Sequence, residues 1–357
     1  MTESIRVGVV GLGKVAQIHH LPALDELDGM RIAAVCDLSA ELARATATRY
    51  GLSVNAAFTD VEQFLDQDID AVVIATNHHG PVLCGSIRAG LPTFVEKPCT
   101  WGLAEAKELT ALSAELAVPV VVGYMKRYDP AFERFRDILQ TAPFYVRVHN
   151  FAGGRHRHER IHPVRKPGAD VDASVLAAEE RTVDQLIAHG LGDDHPARIQ
   201  AFRTLAQLAI HDVNLILSLF GSPRDGRLTR FATPVGPGYL ISLEFGALRC
   251  ELEILADFST ARDWDESVHC YSPEGMTELV FQSPFLRHAP TVLRRRFADG
   301  IEIHAEAVVT SRQSPYVREL AHFREVARGL AQPRTTLPGA LADLELLYDL
   351  VRKMDIG

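Results

Sequence analysis

Hydrophobic residues in the first third of the chain form short, nearly continuous runs that alternate with segments of helical spacing. The runs are rich in β-branched residues and occupy positions 5–10, 31–36, 71–75, 93–96 and 118–122. Strands that are apolar on both faces are typical of a parallel sheet covered by helices on its two sides. The pattern therefore predicts repeated β-α units and an α/β fold with a doubly wound parallel sheet.

Capping residues mark the ends of the predicted helices. Ser39 and Asp60 precede helical patterns and have side chains that can cap a helix N-terminus. Pro81 suits a first helical turn, while Gly51 and Gly90 stand where a helix commonly ends. These signals support the alternation of strands and helices over this part of the chain.

The later part of the chain has a different pattern. Helical spacing occurs at 173–189 and 201–220, and several short strand-like runs separated by turn residues lie between 226 and 307. Runs at this spacing predict an antiparallel sheet and hence an α+β domain. The sequence thus predicts two domains, over residues 1–124 and 125–357.

Composition narrows the function classes. The 357 residues carry a formal net charge of -9, which argues against nucleic acid as a partner because a binder needs a basic face. No apolar stretch approaches the roughly 20 residues of a membrane helix, and no signal peptide is recognisable. The five scattered cysteines suit a reducing compartment. We therefore expect a cytoplasmic protein that binds neither nucleic acid nor membrane.

A glycine-rich turn follows the first predicted strand and leads into a helix. It has the pattern Gly11-x-Gly13-x-x-Ala16. Gly11 permits a tight turn, Gly13 lets the backbone approach a pyrophosphate, and Ala16 allows helix and strand to pack closely. The helix start at Lys14 and Val15 offers N–H groups and the positive end of the helix dipole to phosphates. The turn therefore predicts a dinucleotide site.

Asp37 ends the second predicted strand, where an acidic residue can bind ribose hydroxyls. A carboxylate at this position repels a 2′-phosphate, so NAD is expected as the cofactor and NADP is disfavoured. The alternative interpretation is that Asp37 merely caps the helix that begins near Ser39.

Four motifs in the first 140 residues agree in order and spacing with a known family. Besides the glycine turn, they are Ala75-Thr76-Asn77-His78-His79, Glu96-Lys97-Pro98 and the run from Val122 to Pro130. In these motifs the chain resembles the glucose–fructose oxidoreductase/inositol dehydrogenase (Gfo/Idh/MocA) family. One further match lies beyond them, at Ile210-His211-Asp212-Val213-Asn214.

The resemblance implies an N-terminal Rossmann domain and a C-terminal α+β domain with a large, mainly antiparallel open sheet. In this family that sheet commonly carries the subunit interface, so a homo-dimer or homo-tetramer is expected. Active members oxidise or reduce a hydroxyl or keto group on sugars, cyclitols and related polyols, usually with NAD or NADP. The expected function is therefore that of an NAD(P)-dependent oxidoreductase acting on a sugar-like small molecule.

The resemblance also assigns the catalytic groups. Lys97 matches the lysine that lies between nicotinamide and substrate, and His211 matches the catalytic histidine. These residue types suit hydride transfer from an alcohol, because a base must take the hydroxyl proton and a cation stabilises the developing alkoxide. Without the resemblance, a surface lysine and a core histidine are the ordinary interpretations.

Further cofactor contacts are assigned by position in the family motifs. Thr76, Asn77 and His79 match residues beside the ribose and phosphate of the cofactor. Glu96 either pairs with Lys97 or touches the cofactor amide, and the sequence leaves both open.

One position departs from the family pattern. Active members have an Asp four residues before the histidine, and Gln207 stands there in this chain. Gln207 can still contact His211 or a sugar hydroxyl, but an amide does not stabilise an imidazolium as a carboxylate does.

Met125 and Lys126 match family positions that line the substrate pocket. The alternative interpretation is that they belong to a solvated loop. Other candidate acid groups are Tyr124, Tyr128, Asp184 and Asp193.

Residues 153–172 form a predicted loop rich in Arg, His, Gly and Pro. Its arginines repel a dication, so no metal is expected there in spite of the histidines. A basic loop over the active site could recognise an anionic group on a sugar, and a plain solvated loop is equally consistent with the sequence.

Two other function classes stay open. Gln207 favours a non-catalytic NAD-binding sensor or regulator, although Lys97 and His211 argue against one. An enzyme that recycles its bound NAD internally, such as an epimerase or a lyase, is the other alternative.

Overall fold

The computed structural model describes residues 4–139, 143–153, 161–166, 170–258 and 264–356. The chain forms two compact units. The first comprises Met1–Tyr124, His162–Asp194 and Tyr316–Leu344, and the second comprises Met125–Ile161, His195–Pro315 and Glu345–Gly357.

Helices and strands are numbered along the chain. The helices are α1 Leu21–Glu26, α2 Ala40–Arg49, α3 Val61–Leu65, α4 Gly80–Arg88, α5 Leu103–Glu115, α6 Pro130–Ile138, α7 Ala173–Leu191, α8 Pro196–Thr204, α9 Ile210–Phe220, α10 Pro315–Ala327 and α11 Leu337–Arg352. The strands are β1 Ile5–Val10, β2 Met30–Cys36, β3 Ala57–Phe58, β4 Ala71–Ile74, β5 Thr93–Glu96, β6 Val120–Gly123, β7 Tyr145–Ala152, β8 Asp225–Thr233, β9 Gly236–Phe245, β10 Leu248–Ala256, β11 Trp264–Ser272, β12 Gly275–Phe281, β13 Val292–Asp299 and β14 Glu302–Val309. In the part of the chain that the structure describes, no helix combines the length and hydropathy needed to cross a bilayer.

The first unit contains a six-stranded sheet in the order β3-β2-β1-β4-β5-β6. Every neighbouring pair of these strands is parallel. Val7, Val73 and Phe94 in its central strands are completely buried, as expected for a sheet covered on both faces. The predicted doubly wound α/β fold is confirmed. The strand order reverses between β1 and β4, and ligands of such sheets bind beyond the carboxyl ends at this point.

The predicted caps position the loops of this sheet. The Ser39 hydroxyl accepts a hydrogen bond from the N–H of Leu42 at 3.1 Å, which starts α2. Asp60 caps α3 in the same way. Gly51 and Gly90 have φ angles of 69° and 71°, and the chain leaves α2 and α4 through these left-handed conformations.

The second unit contains an eight-stranded sheet in the order β14-β13-β12-β11-β7-β10-β9-β8. Its described pairs are antiparallel except for β7 with β10, which is parallel. The prediction of a large, mainly antiparallel sheet in an α+β unit is therefore confirmed.

The sequence analysis did not identify β8 and β13. β13 contains the run Arg294-Arg295-Arg296, and most of β8 is exposed. Neither strand therefore shows the apolar–polar alternation that marks a half-buried strand. Their place in the sheet comes from pairing with β9 and with β12 and β14.

The first unit includes helices from late in the chain, which differs from the two continuous segments expected from the sequence. Leu320, Phe323 and Val326 of α10 join the core cluster that also contains residues of β1 and β2. The Phe323 ring centroid lies 5.9 Å from that of Phe94. An amphipathic pattern predicts that a helix buries one face, but it does not tell which body covers that face. The functional division at residues 124 and 125 stays a prediction.

We expect Phe323→Ala to destabilise the first unit by about 3–5 kcal/mol, because it leaves a cavity among fully buried side chains. The free energy of unfolding from urea denaturation checks this. Leu330→Ala is the matched control, since Leu330 is 72% exposed and should cost less than about 0.5 kcal/mol. Equal effects of the two substitutions would contradict the packing of α10 described here.

Candidate functional site

The glycine turn after β1 is shaped by two glycines with different surroundings. Gly11 has a φ angle of 84°, and a Cβ added there would lie 2.5 Å from the carbonyl carbon of Ala75 and the amide nitrogen of Thr76. At Gly13 an added Cβ would meet no atom within 4 Å. Ala16 is fully buried. The first glycine is therefore required by the fold, whereas the second faces open space.

Asp37 connects the glycine turn to the loop after β2. One carboxylate oxygen accepts a hydrogen bond from the N–H of Leu12 at 2.8 Å, and the other accepts one from the N–H of Ser39 at 2.9 Å. An ionised carboxylate has about four acceptor positions, so it can still accept hydrogen bonds from two further hydroxyls. Asp37 thus stabilises both loops and retains the capacity to bind a ribose, which combines the two interpretations drawn from the sequence.

A cleft of about 290 Å³ lies at this edge of the sheet. Its wall is formed by the loops after β1, β2 and β4, including Gly11, Gly13, Asp37, Thr76, Asn77 and His78. The start of a helix, an open glycine and the carboxylate of Asp37 surround one cleft, an arrangement that fits the adenosine and phosphate portion of a dinucleotide.

His79 does not line this cleft; its neighbour His78 does. The His79 ring is buried, with Nδ1 3.0 Å from the Thr76 hydroxyl. Burial lowers the pKa of His79 to about 4, although the Glu96 carboxylate acts in the opposite direction. His79 thus contacts Thr76 beside the cleft, and its expected contact with a cofactor stays a prediction.

The returning segment, described over residues 162–166 and 170–194, contributes to the same cleft. Gln17 and the backbone of Arg165 exchange two hydrogen bonds of 2.8 Å. The side-chain amide of Asn77 donates to Glu180 at 3.1 Å. Further wall residues come from this segment: Val171, Leu176 and Glu179. The sequence analysis missed these residues because their partners lie far away along the chain.

Glu96, at the carboxyl end of β5, is held by its neighbours. Its Oε1 lies 2.7 Å from Nε2 of the buried His20, and its Oε2 accepts the N–H of Lys97 at 3.1 Å. The Lys97 side chain is half-buried. The Glu96 carboxylate is therefore engaged by His20 and by the backbone of Lys97, which fixes the start of the Lys97 loop.

Glu319 of α10 completes a buried group with His20 and Glu96, whose ligand-type atoms all lie within 4.8 Å of one another. Neither carboxyl oxygen of Glu319 has a hydrogen-bond partner among the described residues. Burial, reinforced by the Glu96 charge, raises the pKa of Glu319 well above its ordinary value. The pKa of Glu96 is lowered in spite of its burial, because His20 donates to it and Lys97 is near. The pKa of Glu319 is thus raised while that of Glu96 is lowered, so the two carboxyls favour opposite protonation states.

His211 and Gln207 lie in the second unit, where a helix changes its winding. Leu205–Ala209 forms a π-helical turn that continues into α9, so Gln207 lies in the wide turn and His211 in the first turn of α9. Both side chains are half-buried. Wide turns of this kind are frequent at functional sites.

Lys126 is buried, and its expected position in the substrate pocket stays a prediction. Its side chain is 3% exposed, and its ammonium forms ion pairs with Asp212 and Glu266. Asn150 donates to both carboxylates at 2.7 Å. Trp264 donates to Glu266 at 2.8 Å. Lys126 thus anchors the residue that follows His211, and its charge is already neutralised inside the unit.

The other expected site residues are distributed as follows. Lys97 belongs to the first unit, and His211, Gln207 and Met125 belong to the second. The alternative acids Tyr124 and Tyr128 are both 1% exposed. The tract 155–160 of the His- and Arg-rich loop lies outside the described residues, so its proposed role stays a prediction.

Comparison with known proteins gives matches to oxidoreductases. Residues 5–124 match the model of the Gfo/Idh/MocA oxidoreductase family with an NAD-binding Rossmann fold. Inositol 2-dehydrogenase from Corynebacterium glutamicum is 34% identical over 145 residues, which cover 40% of this chain and 42% of that protein. Inositol 2-dehydrogenase from Rubrobacter xylanophilus is 27% identical over 263 residues, covering 71% and 72%. In the first of these matches the chain spans about two fifths of its curated relative.

Solved structures resemble this fold over nearly its whole length. UDP-N-acetylglucosamine 3-dehydrogenase from Acidithiobacillus ferrooxidans has a TM-score of 0.73 at 19% identity, with 98% of each chain covered. A 3-ketoreductase from Actinomadura kijaniata in complex with NADP has a TM-score of 0.73 at 16% identity, covering 99% of this chain and 98% of that one. At this identity the likeness shows a shared fold.

We expect Glu319→Gln to change the pH dependence of stability. Because the folded-state pKa is raised above the ordinary value of 4.5, the folded chain holds this proton more tightly than the unfolded chain does. The resulting stabilisation is complete below the unfolded pKa and is lost as pH rises toward the folded pKa. The variant should therefore gain stability relative to wild type between about pH 5 and about pH 8, as measured by urea denaturation.

The control for this prediction is Glu115→Gln, since Glu115 is exposed in α5. The Glu115→Gln substitution should change the free energy of unfolding by the same amount at about pH 5 and at about pH 8. A pH-independent difference between Glu319→Gln and wild type would contradict the buried protonated carboxyl.

Proposed function

Because residues 5–124 match the model of the Gfo/Idh/MocA oxidoreductase family, we propose that the chain is an NAD-dependent sugar or polyol oxidoreductase of this family. It moves a hydride between nicotinamide and a hydroxyl or keto group of a sugar, cyclitol or sugar derivative. The observation that carries the proposal is the cleft beside the strand-order reversal, where Gly13 faces open space and Asp37 presents a carboxylate. The relatives named inositol 2-dehydrogenase support the substrate class.

Cofactor binding rests on groups around this cleft. The N–H groups at Lys14 and Val15, at the start of the first helical segment, bind the pyrophosphate. Asp37 binds the ribose hydroxyls and favours NAD over NADP by charge. Thr76 and Asn77 complete the wall at the end of β4.

Lys97 and His211 carry the proton chemistry of the proposed reaction. The bound dinucleotide supplies or accepts the hydride. Lys97 donates a hydrogen bond to the reacting oxygen and stabilises negative charge on it. His211 takes the hydroxyl proton in oxidation and returns it in reduction. The Lys126–Asp212–Glu266 ion pairs position the helical turn that bears His211.

The fold of the second unit also supports a homo-oligomer. The resemblance favours a homo-dimer or homo-tetramer joined through the eight-stranded sheet. At one edge of that sheet β14 exposes Ile303 by 75% and Val309 by 46%. Covering apolar side chains of this kind on association would remove them from water.

Gly13→Ala tests the cofactor site. We expect wild type to bind NADH with a change in fluorescence, and the variant to bind it at least about tenfold more weakly, because a methyl group takes the space that the pyrophosphate approaches. The variant should remain folded, since its Cβ meets no atom within 4 Å. Circular dichroism supplies that control. Absence of NADH binding by wild type would overturn the proposed function.

Lys97→Ala and His211→Ala test the catalytic assignment. Each should lower kcat by about 10²–10⁴-fold on a polyol or keto-sugar that wild type turns over, with NADH affinity changed less than about threefold. Gln207→Ala is the comparison, with a smaller expected loss. If wild type binds NADH yet turns over no candidate sugar, and both alanine variants keep their biological activity, the chain is a sensor.

Gln207, at the position where active members have an Asp, favours the sensor. An internally recycled cofactor is the other alternative. Tightly bound NAD that survives purification, together with substrate conversion that yields no net NADH, would distinguish it from a dehydrogenase.

A further inference from the structure

The first turn of α2 is covered by a carboxylate from a distant part of the chain. Asp170 accepts hydrogen bonds from the Ser39 hydroxyl at 2.8 and 3.1 Å. It also accepts the N–H of Glu41 at 2.9 Å. These donors lie at the N-terminus of a ten-residue helix, where backbone N–H groups and the helix dipole favour an anion. The hydrogen bond from Glu41 holds the pKa of Asp170 below its usual range.

Asp170 binds the N-terminus of α2 in addition to the N-cap residue, Ser39. Ser39 already caps α2, because its hydroxyl oxygen accepts the N–H of Leu42. Asp37 and Asp170 then bind the same serine, the former at its N–H and the latter at its hydroxyl hydrogen. Glu41 adds a third acidic residue in the first turn. The donors around Ser39 are therefore occupied by the protein's own carboxylates.

The returning segment holds Asp170 at this place. On its N-terminal side, Arg165 is bound to Gln17 by two hydrogen bonds, and on its C-terminal side Glu180 is bound to Asn77. Val171, next to Asp170, lines the cleft together with Asp37. Asp170 is thus placed at the rim of the proposed adenosine site by contacts on both sides.

The chemistry of this rim distinguishes the two nicotinamide cofactors. An adenosine ribose bound at Asp37 directs its 2′ position toward the loop after β2. A 2′-phosphate needs cationic groups or free N–H donors there. In this chain the hydroxyl of Ser39 and the N–H of Glu41 are taken by a carboxylate whose charge repels a phosphate. A ribose with a free 2′-hydroxyl requires none of these donors.

We propose that Asp170 is a second specificity-determining residue, which acts with Asp37 to exclude NADP by occupying the anion position at the start of α2. The inference rests on the proposed NAD-dependent function, and it adds to it a residue from the returning segment. The selectivity then depends on a segment that lies outside the β-α-β unit of the glycine turn.

Fluorescence titration of NADH and NADPH tests the proposal in wild type and in Asp170→Asn. The asparagine keeps the size and one acceptor oxygen and removes the charge. We expect wild type to bind NADH more than about tenfold tighter than NADPH. The variant should bind NADPH about tenfold tighter than wild type does, with NADH affinity changed less than about twofold.

Asp172→Asn is the matched control. Asp172 lies two residues later in the same segment and caps α7 through Ser174. Asparagine caps a helix as well as aspartate does, so this variant should leave both affinities unchanged. Equal shifts of both dinucleotides in Asp170→Asn, or no gain for NADPH, would overturn the proposal.

Failure of the proposal and failure of the proposed function give different results. Wild type that binds NADPH as tightly as NADH overturns the role of Asp170 and leaves the oxidoreductase function standing. Wild type that binds neither dinucleotide overturns both.

Discussion

The close approach of the glycine turn to the backbone at the end of β4 determines the geometry of the first unit's carboxyl edge. A Cβ at Gly11 would lie 2.5 Å from backbone atoms of Ala75 and Thr76, so the loops after β1 and β4 come together only around a residue without a side chain. Asp37 then ties the next loop to the same turn through the N–H of Leu12. The cleft, its open Gly13 face and the placement of the Asp37 carboxylate all depend on this contact.

Each candidate catalytic residue has a buried carboxylate as its direct neighbour along the chain. Lys97 follows Glu96, whose carboxylate is hydrogen-bonded to His20. Asp212, next to His211, forms an ion pair with Lys126. A buried ion pair contributes little net stability, because desolvation offsets most of the attraction. Its value here is geometric, since a buried hydrogen-bonded carboxylate has few alternative positions. Each unit therefore fixes the backbone beside its own candidate group.

Features set by neighbours along the chain could be predicted from the sequence. The glycine turn and the caps at Ser39 and Asp60 are marked by residue types that lie close together along the chain, and so are the strands of the parallel sheet. The alternating runs of the second unit revealed most of its sheet in the same way. The arginine-rich β13 was missed because its residues lack an apolar alternation.

Features set by pairing between distant residues could not be predicted. Ser39 and Asp170 are separated by 131 positions, and Lys126 and Glu266 by 140. Such pairs leave no periodic signal, because each partner alone resembles an ordinary solvated charge. The sequence therefore gives no sign that the ammonium of Lys126 is paired with Asp212 and Glu266.

Helix α10 belongs to the first unit although it is synthesised near the end of the chain, and this order affects folding during biosynthesis. Phe323 enters the core that contains residues of β1 and β2, yet it is synthesised more than 285 positions after β2 and more than 310 positions after β1. During translation, an apolar face of the sheet stays uncovered until this helix has been synthesised. Chains with exposed apolar surface are prone to associate wrongly. Contacts of such long sequence separation also slow the search for the native arrangement. A ribosome-bound chain thus completes the core of its first unit only when nearly all of the polypeptide has emerged.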